Sequence, residues 1–136
     1  MNMELQYIDH IVIIVQDIEK TENFYSHFLG KPIQKDSEQV AYQIGKTKLF
    51  FGLPYSEWNT YDKDKTGLNH LAFGVKTKEE LVYFEELLKN KGIENSGIKI
   101  DEYGNKEFIW FDDPDGYRLE IYRRPWKWSQ LMILKN

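Results

Sequence analysis

Asp9-His10-Ile11-Val12-Ile13-Ile14-Val15 opens the first clear pattern of the chain, and Asn69-His70-Leu71-Ala72-Phe73-Gly74-Val75 repeats it sixty residues later. The likeness extends without a gap from residues 8–33 to residues 68–93, at a constant offset of 60. A duplicated unit determines the architecture of a fold. Two of the three histidines of the chain therefore occupy equivalent places in two copies of one unit.

Each copy is predicted to fold as β-α-β-β-β. In the first copy, apolar and β-branched runs predict a strand over 7–15 and, between turn residues, strands over 33–36, 40–44 and 46–53. Apolar residues at helical spacing predict a helix over 19–29, capped by Asp17. The second repeats the order with a strand over 68–75, a helix over 78–89 capped by Thr77, and strands over 98–101, 107–111 and 117–122. The predicted fold class is α+β, with two tandem βαβββ modules.

Composition bounds the domain organisation. With 136 residues, of which 41% are hydrophobic and 15% aromatic, the chain suits one core better than two independent domains. We therefore predict a single domain over 1–136. Its parts are module one (about 4–54), a polar linker (55–66), module two (about 67–123) and a C-terminal tail (124–136) that holds Trp126 and Trp128.

Charge and cysteine content exclude several classes of partner and chemistry. The net charge is −4, and lysines and arginines are scattered among acids, which argues against nucleic acid and anionic membrane surfaces as partners. The absence of cysteine excludes a disulfide framework, a thiolate nucleophile and a zinc-thiolate site. The apolar run over 11–15 is too short for a signal peptide or a membrane span. We expect a cytoplasmic protein with a small-molecule partner.

A metal site is the chemistry that the repeat favours. His10 and His70 open equivalent strands, and Glu120 lies in the closing strand of the second module. If the modules curve around one cavity, side chains of equal strand parity converge in it. Two imidazoles and one carboxylate occupy one face of an octahedral divalent ion and leave positions open for substrate or water. A histidine in an apolar strand is, taken alone, more often a core residue than a ligand.

Two other features favour structural interpretations. His27 lies on the first helix and its counterpart in the repeat is Leu87, so we interpret it as surface or helix packing. Asp113-Pro114-Asp115-Gly116 pairs two carboxylates, but this sequence is typical of a tight turn. We therefore predict a turn there rather than a catalytic pair.

Together, these residues carry a resemblance to a known family. The strand and helix with His10 and Asn23-Phe24-Tyr25, the strand with His70, and Asp-Pro-Asp-Gly followed by Leu119-Glu120 resemble the vicinal oxygen chelate superfamily. That superfamily includes glyoxalase I (lactoylglutathione lyase), extradiol dioxygenases, fosfomycin-resistance transferases, methylmalonyl-CoA epimerase and bleomycin-binding proteins. The resemblance covers about residues 7 to 122. It implies a cupped half-barrel around a divalent metal whose identity (Fe, Mn, Ni, Zn or Co) the ligands alone do not specify.

The resemblance also sets out the possible functions. Glyoxalase-like members take a fourth ligand, Glu or Gln, from the closing strand of the first module, where this chain has Phe50 or its neighbour Leu49. The first hypothesis is a metal-dependent lyase, isomerase or thiol transferase with His10, His70 and Glu120 as ligands and Phe50 and Trp110 as pocket walls. The alternatives are an Fe(II) dioxygenase of the extradiol type and a metal-free binding protein of the bleomycin-resistance type.

Assembly follows from the same resemblance. Two-module members commonly dimerise so that the first module of one chain faces the second module of the other. A linker of the length seen here allows that exchange, and an unpaired module leaves a sheet face and strand edges exposed. We therefore expect a homodimer with shared metal sites, in which His10 comes from one subunit and His70 with Glu120 from its partner. A closed monomer is the alternative.

Overall fold

The computed structural model describes residues 3–57, 59–101 and 106–124. Trp126 and Trp128, which were predicted to lie in a tail, fall outside these residues. The chain divides into two compact units. The first runs to Tyr61 and also takes in Asp113–Asp115, while the second comprises Asp62–Asp112 and the chain from Gly116 onward.

Unit 1 contains one four-stranded sheet and one helix. Its elements in chain order are β1 (His10–Ile14), α1 (Ile18–Leu29), β2 (Gln34–Lys35), β3 (Gln39–Ile44) and β4 (Thr47–Gly52). The strand order in the sheet is β1-β4-β3-β2. Strand β1 runs parallel to β4, and the other neighbours are antiparallel.

Unit 2 repeats this arrangement. Its elements are β5 (His70–Val75), α2 (Lys78–Asn90), β6 (Lys99–Asp101), β7 (Lys106–Asp112) and β8 (Arg118–Arg123). The strand order is β5-β8-β7-β6, with β5 parallel to β8 and antiparallel pairing elsewhere. The predicted α+β fold of two β-α-β-β-β modules is confirmed.

The helix caps lie where the sequence places them. The Asp17 side chain accepts a hydrogen bond from the Lys20 backbone N–H at 3.0 Å. Thr77 and Glu80 form a capping box at the start of α2, in which each side chain accepts from the other residue's backbone N–H. Because β1 and β5 begin at His10 and His70, and their helices begin at the same offset of 60, the repeat is kept in three dimensions.

One face of each sheet is covered by the helix of its own unit. In unit 1 the buried side chains on this face include Ile13, Ile18, Thr21, Tyr25, Val40, Tyr42, Leu49 and Phe51, while Ala41 is buried on the opposite face. In unit 2 the corresponding set is Leu81, Leu88, Ile109, Phe111, Leu119 and Ile121. Because strand side chains alternate, the residues between these positions lie on the opposite face of each sheet.

Two sequence-based expectations differ in detail from the structure. The predicted first strand began at Tyr7, but Tyr7 and Ile8 are exposed, and β1 begins only at His10, where its pairing with β4 begins. The helical spacing of Phe24, Phe28 and Leu29 predicts that these residues form the inner face of α1, whereas its buried residues are Ile18, Thr21 and Tyr25. Tyr25 packs on the sheet, where its ring lies against the Phe51 ring with centroids 4.3 Å apart.

The turn at Asp113-Pro114-Asp115-Gly116 is confirmed, and Gly116 adopts a positive φ of 86°. The Asp113 carboxylate is buried and accepts a hydrogen bond from the Tyr25 hydroxyl at 2.6 Å. Neither helix in the described part of the chain is both long enough and apolar enough to cross a membrane.

Candidate metal centre

His70 and Glu120 meet on the open face of the unit 2 sheet. In the parallel ladder, His70 pairs with Arg118 and Ala72 pairs with Glu120, so all four side chains share one face. The Nε2 atom of His70 lies 3.6 Å from Oε1 of Glu120. The imidazole is 43% exposed and the carboxylate 12% exposed, so a solute can reach the pair from the histidine side.

The other ring nitrogen of His70, Nδ1, already forms a hydrogen bond. It lies 2.7 Å from Oδ1 of Asn69. The orientation of this amide is fixed because its Nδ2 donates to the Lys63 carbonyl at 2.9 Å. An amide oxygen only accepts, so Nδ1–H is the donor and the neutral ring carries its lone pair on Nε2. This is the nitrogen that faces Glu120.

His10 repeats this arrangement in unit 1. Its Nδ1 lies 2.8 Å from Oδ1 of Asp9, which is the equivalent of Asn69 in the repeat. A carboxylate oxygen also accepts, so the free lone pair is again on Nε2. Hydrogen bonding of one ring nitrogen to a carboxylate or amide is the usual support of a metal-binding histidine, because it fixes the tautomer and the orientation of the ring. The His10 side chain is 55% exposed.

The strand register identifies the counterpart of Glu120. In unit 1, Val12 pairs with Phe50, as Ala72 pairs with Glu120 in unit 2. Phe50, rather than Leu49, therefore occupies the place of the carboxylate, while Leu49 is buried on the helix-covered face. The Phe50 ring meets the His10 ring edge-on with centroids 5.9 Å apart. Phenylalanine offers no donor atom to a metal.

Trp110 lies next to Glu120 on the neighbouring strand of unit 2. The Arg118 guanidinium lies 4.0 Å from the centre of the Trp110 ring, and its Nε donates to Oδ1 of Asp112 at 2.6 Å. Arg118 is not among the site residues predicted from the sequence. Its position two residues before Glu120, hence on the same face of a strand, is the signal that would have identified it.

Small residues leave space further along the same face. Ala72 and Gly74 on β5 help to line a cavity of about 190 Å³ together with Tyr122 and Arg124. The Tyr122 ring is stacked on Phe108 with centroids 4.9 Å apart. Burial is the main cause that raises the pKa of the Tyr122 hydroxyl, and the nearby Glu120 charge adds to it. The face thus combines titratable groups with aromatic walls.

Of the three predicted ligands, the structure brings together His70 and Glu120, and it places His10 in unit 1. Within residues 3–57, 59–101 and 106–124, no group of three or more His, Asp or Glu side chains is arranged to hold a metal ion. The donor chemistry of the His70 and Glu120 pair nevertheless fits one. Two ligands at about 2.1 Å from an ion, at angles between 90° and 120°, are about 3.0–3.6 Å from each other.

The fold and these donors define a class of two-module β-α-β-β-β proteins with histidine and carboxylate side chains on their open sheet faces. Within this class, the family model of the Glyoxalase/Bleomycin resistance protein/Dioxygenase superfamily matches residues 7–121. The chain belongs to this superfamily, as the resemblance predicted.

Individual relatives agree with this assignment. The Bacillus subtilis uncharacterized protein YwkD is 35% identical over 133 residues, which cover 90% of this chain and all of the relative. Metallothiol transferase FosB of Staphylococcus saprophyticus is 29% identical over 121 residues, covering 87% of this chain and 77% of the relative. The crystal structure of a putative glyoxalase from Bacillus halodurans superposes with a TM-score of 0.75 at 26% identity, covering 86% of this chain and 95% of that one.

Proposed function

We propose that the protein is a metal-dependent enzyme of the lyase, isomerase or thiol-transferase type that acts on a small oxygen-rich molecule. His10, His70 and Glu120 hold one divalent ion, and Phe50 and Trp110 form walls of the substrate pocket. The observation that carries the proposal is the pairing of His70 Nε2 with Glu120 Oε1 at 3.6 Å, with Nδ1 of the same ring committed to Asn69.

The spacing of the pair suits a cation between its two atoms. A neutral imidazole with its proton on Nδ1 presents a lone pair to a carboxylate, and two acceptors repel each other unless a positive charge joins them. At 3.6 Å the atoms are too far apart for a good N–H···O hydrogen bond. A divalent ion satisfies both at that spacing, and His10, with its ring supported in the same way, supplies the third ligand.

The remaining residues shape what reaches the ion. When bound, such an ion polarises a substrate carbonyl, phosphoryl or hydroxyl oxygen as a Lewis acid. Phe50 contributes no ligand, so three protein donors leave several coordination positions for substrate oxygens. Trp110 and Phe50 present apolar surfaces that orient the carbon skeleton and exclude water. The similarity to a protein named metallothiol transferase supports a metal-dependent reaction.

The same donor set favours one alternative. Two histidines and one carboxylate with open positions are the set that non-haem Fe(II) oxygenases use. The lack of a ligand at Phe50 therefore also supports a dioxygenase of the extradiol type, with the same three residues in the same roles. A metal-free binding protein of the bleomycin-resistance type is the third possibility. A homodimer with shared sites and a cytoplasmic location stay predictions.

Metal analysis tests the proposal directly. We expect purified protein, stripped and then reloaded with Mn²⁺, Fe²⁺, Co²⁺, Ni²⁺ or Zn²⁺, to bind one ion per intact site in isothermal titration. His70→Ala and Glu120→Gln should each weaken metal affinity by about 10- to 100-fold or more, since outer-sphere changes alone have effects of that size. His27→Ala is the matched control, because His27 lies on α1 against Phe28 and should leave the affinity unchanged.

The same preparations separate the hypotheses. Metal-dependent turnover of dicarbonyl adducts, or metal-dependent conjugation of thiols, supports the proposed class. Oxygen uptake with Fe(II) and a catechol supports the dioxygenase. Equal affinity of His70→Ala and His27→Ala for every ion would overturn the metal-dependent proposal and leave the binding protein.

A further inference from the structure

We propose that Arg118 is an anion-binding residue of this site and that it selects substrates bearing a carboxylate or phosphate group beside the metal-binding oxygens. The inference rests on the proposed function and extends it to the class of substrate. It is carried by the place of Arg118 in the sheet, by the contacts that hold its guanidinium, and by the contrast with Arg123 on the same strand.

Arg118 lies within the candidate site rather than at its edge. It pairs directly with His70 in the parallel ladder, and it precedes Glu120 by two residues on β8. Residues two apart on a strand lie about 7 Å from each other on one face, and neighbouring strands are about 4.8 Å apart. An anionic group on Arg118 would therefore be within a few bonds of oxygens placed between His70 and Glu120.

The guanidinium is fixed before any ligand arrives. Its Cζ atom lies over the Trp110 ring, 4.0 Å from the ring centre, and its Nε–H donates to Asp112. The side chain is 22% exposed, so it is held against the sheet and still open to a solute. Ordering an arginine costs rotamer entropy, and a group that is already ordered binds a ligand without that cost.

The contacts of Arg118 with Trp110 and Asp112 leave most N–H donors of its guanidinium available to an anion. Guanidinium has five N–H donors, and Asp112 uses the one on Nε. The four N–H groups of the two η nitrogens are the ones that form bidentate hydrogen bonds with carboxylate or phosphate oxygens. The Asp112 carboxylate is half exposed and offsets part of the positive charge of Arg118. In the proposed site, the negative charge of Glu120 is balanced by the metal ion instead.

Arg123 shows what a structural arginine looks like on this strand. It lies on the opposite face of β8, where it donates to Glu107 at 3.0 Å as part of a cluster with Lys78. Arg123 is thus joined to one acid, Glu107 of β7, which also forms an ion pair with Lys78 of α2. Arg118, in contrast, lies on the face with His70 and Glu120 and is stacked on a residue of the proposed pocket wall.

Two matched ligand pairs test the proposal on the metal-loaded protein. Catechol and 3,4-dihydroxybenzoate differ by a carboxylate, and dihydroxyacetone and its phosphate differ by a phosphate. We expect the wild type to bind the anionic member of at least one pair about tenfold more tightly, the scale of a charge-assisted contact. The pair that shows the preference distinguishes a carboxylate substrate from a phosphate substrate.

Variants assign the preference to Arg118. Arg118→Gln should reduce the anionic-to-neutral affinity ratio to near one, and Arg118→Lys should keep part of it. Asp112→Asn keeps an acceptor for Nε but removes a charge, so the ratio should rise. Arg123→Gln is the matched control and should keep the wild-type ratio. Because each ratio compares two ligands on one protein, a loss of folded material does not imitate the effect.

The outcomes separate this inference from the function on which it rests. An unchanged ratio in Arg118→Gln, in protein whose metal affinity is normal, overturns the role of Arg118 alone. If no variant or wild type binds metal, the proposed function fails. In that case, inorganic phosphate is titrated into the metal-free protein and the line width of the phosphate NMR signal is measured, which tests Arg118 without a metal. Line broadening that Arg118→Gln abolishes supports the anion site. Equal line broadening in the wild type and in Arg118→Gln overturns the anion site.

Discussion

Phe50 is the residue at which the two repeats differ most in chemistry. It occupies the register position of Glu120, next to a histidine supported in the same way as His70. In the proposed metal site, one module therefore offers two donors and the other offers one. Because a missing ligand leaves more exchangeable positions on an ion, we expect weak or absent activity with the methylglyoxal–glutathione adduct, for which glyoxalase-type sites use a fourth ligand.

Phe50→Glu should create that ligand. We expect the variant to bind divalent ions more tightly than the wild type by about tenfold or more, because a carboxylate is added where an aromatic ring stood. Phe50→Leu is the control, since it removes the ring without adding a donor. Isothermal titration measures both. Strong adduct isomerisation by the wild type, or no gain in Phe50→Glu over Phe50→Leu, contradicts the assigned role.

Tyr25 shows how one buried hydrogen bond stabilises unit 1. Its hydroxyl donates to the Asp113 carboxylate at 2.6 Å, and both side chains are buried. Tyr25→Phe keeps the stacking on Phe51 but removes a donor from a buried carboxylate, so we expect the free energy of unfolding to fall by about 2–3 kcal/mol. Urea denaturation followed by circular dichroism measures the change.

Thr21 supplies the comparison for that experiment. It lies on the same helix one turn before Tyr25, and its buried hydroxyl has no hydrogen-bond partner among the described residues. Thr21→Val removes that oxygen without leaving a cavity, so the free energy of unfolding should stay the same or rise by up to about 1 kcal/mol. A similar loss in both variants would show that packing, not the hydrogen bond, accounts for the effect.

At the scale of elements, Glu107 joins the start of α2 to the end of β8. The Glu107 carboxylate forms ion pairs with Lys78 and with Arg123. The hydrogen bond from Lys78 is the main cause that lowers the pKa of Glu107 below its ordinary value. A lowered folded-state pKa stabilises the fold above the unfolded-state pKa, and this contribution is lost as the pH falls through the folded-state pKa.

Glu107→Gln should therefore remove the part of the free energy of unfolding that depends on the ionised Glu107 carboxylate. The variant should be less stable than the wild type at neutral pH, and the difference should narrow as the pH falls below the ordinary range of a glutamate. Unfolding by urea at a series of pH values from neutral to acidic measures it. Glu94→Gln, at an exposed position, is the control. A difference that widens toward acid would contradict the sign assigned to the pKa of Glu107.

The elements also show how far the sequence determines the fold. The offset of 60 predicted both strand-helix openings and both caps because capping and periodicity depend on neighbouring residues. The strand predicted over 33–36 is present as β2, whereas the true start of β1 depends on its pairing with β4, which local pattern does not contain. For the same reason the sequence left Phe50 and Leu49 as alternatives, and only the register with β1 and β3 separated them.

The candidate site was predictable to a similar extent. Duplication singled out His10 and His70, a glutamate in the closing strand added Glu120, and the family resemblance added Phe50 and Trp110. The supports on Nδ1 and the stacking of Arg118 on Trp110 depend on side-chain conformation, so no spacing predicts them. The turn at Asp113–Asp115 was predicted as a turn, but its hydrogen bond with Tyr25 joins residues far apart in sequence.

For the whole molecule, we propose that His10 of one subunit joins the His70 and Glu120 pair of its partner. We expect a homodimer in which each site takes His10 from one subunit. Mixing a His10→Ala chain with a His70→Ala chain should then recover one intact site per heterodimer, and with it part of the metal binding. No recovery after mass spectrometry has shown subunit exchange would indicate a site formed within a single chain.

His10, His70 and Glu120 are proposed to hold the same ion, and X-ray absorption at the metal edge of Co²⁺- or Zn²⁺-loaded protein can count the histidines bound to it. The scattering pattern of imidazole rings counts the histidines bound to the ion. We expect two histidines and oxygen donors at about 2.0–2.2 Å in the wild type, and one histidine in His10→Ala. An identical first coordination shell in the wild type and in His10→Ala would contradict the account.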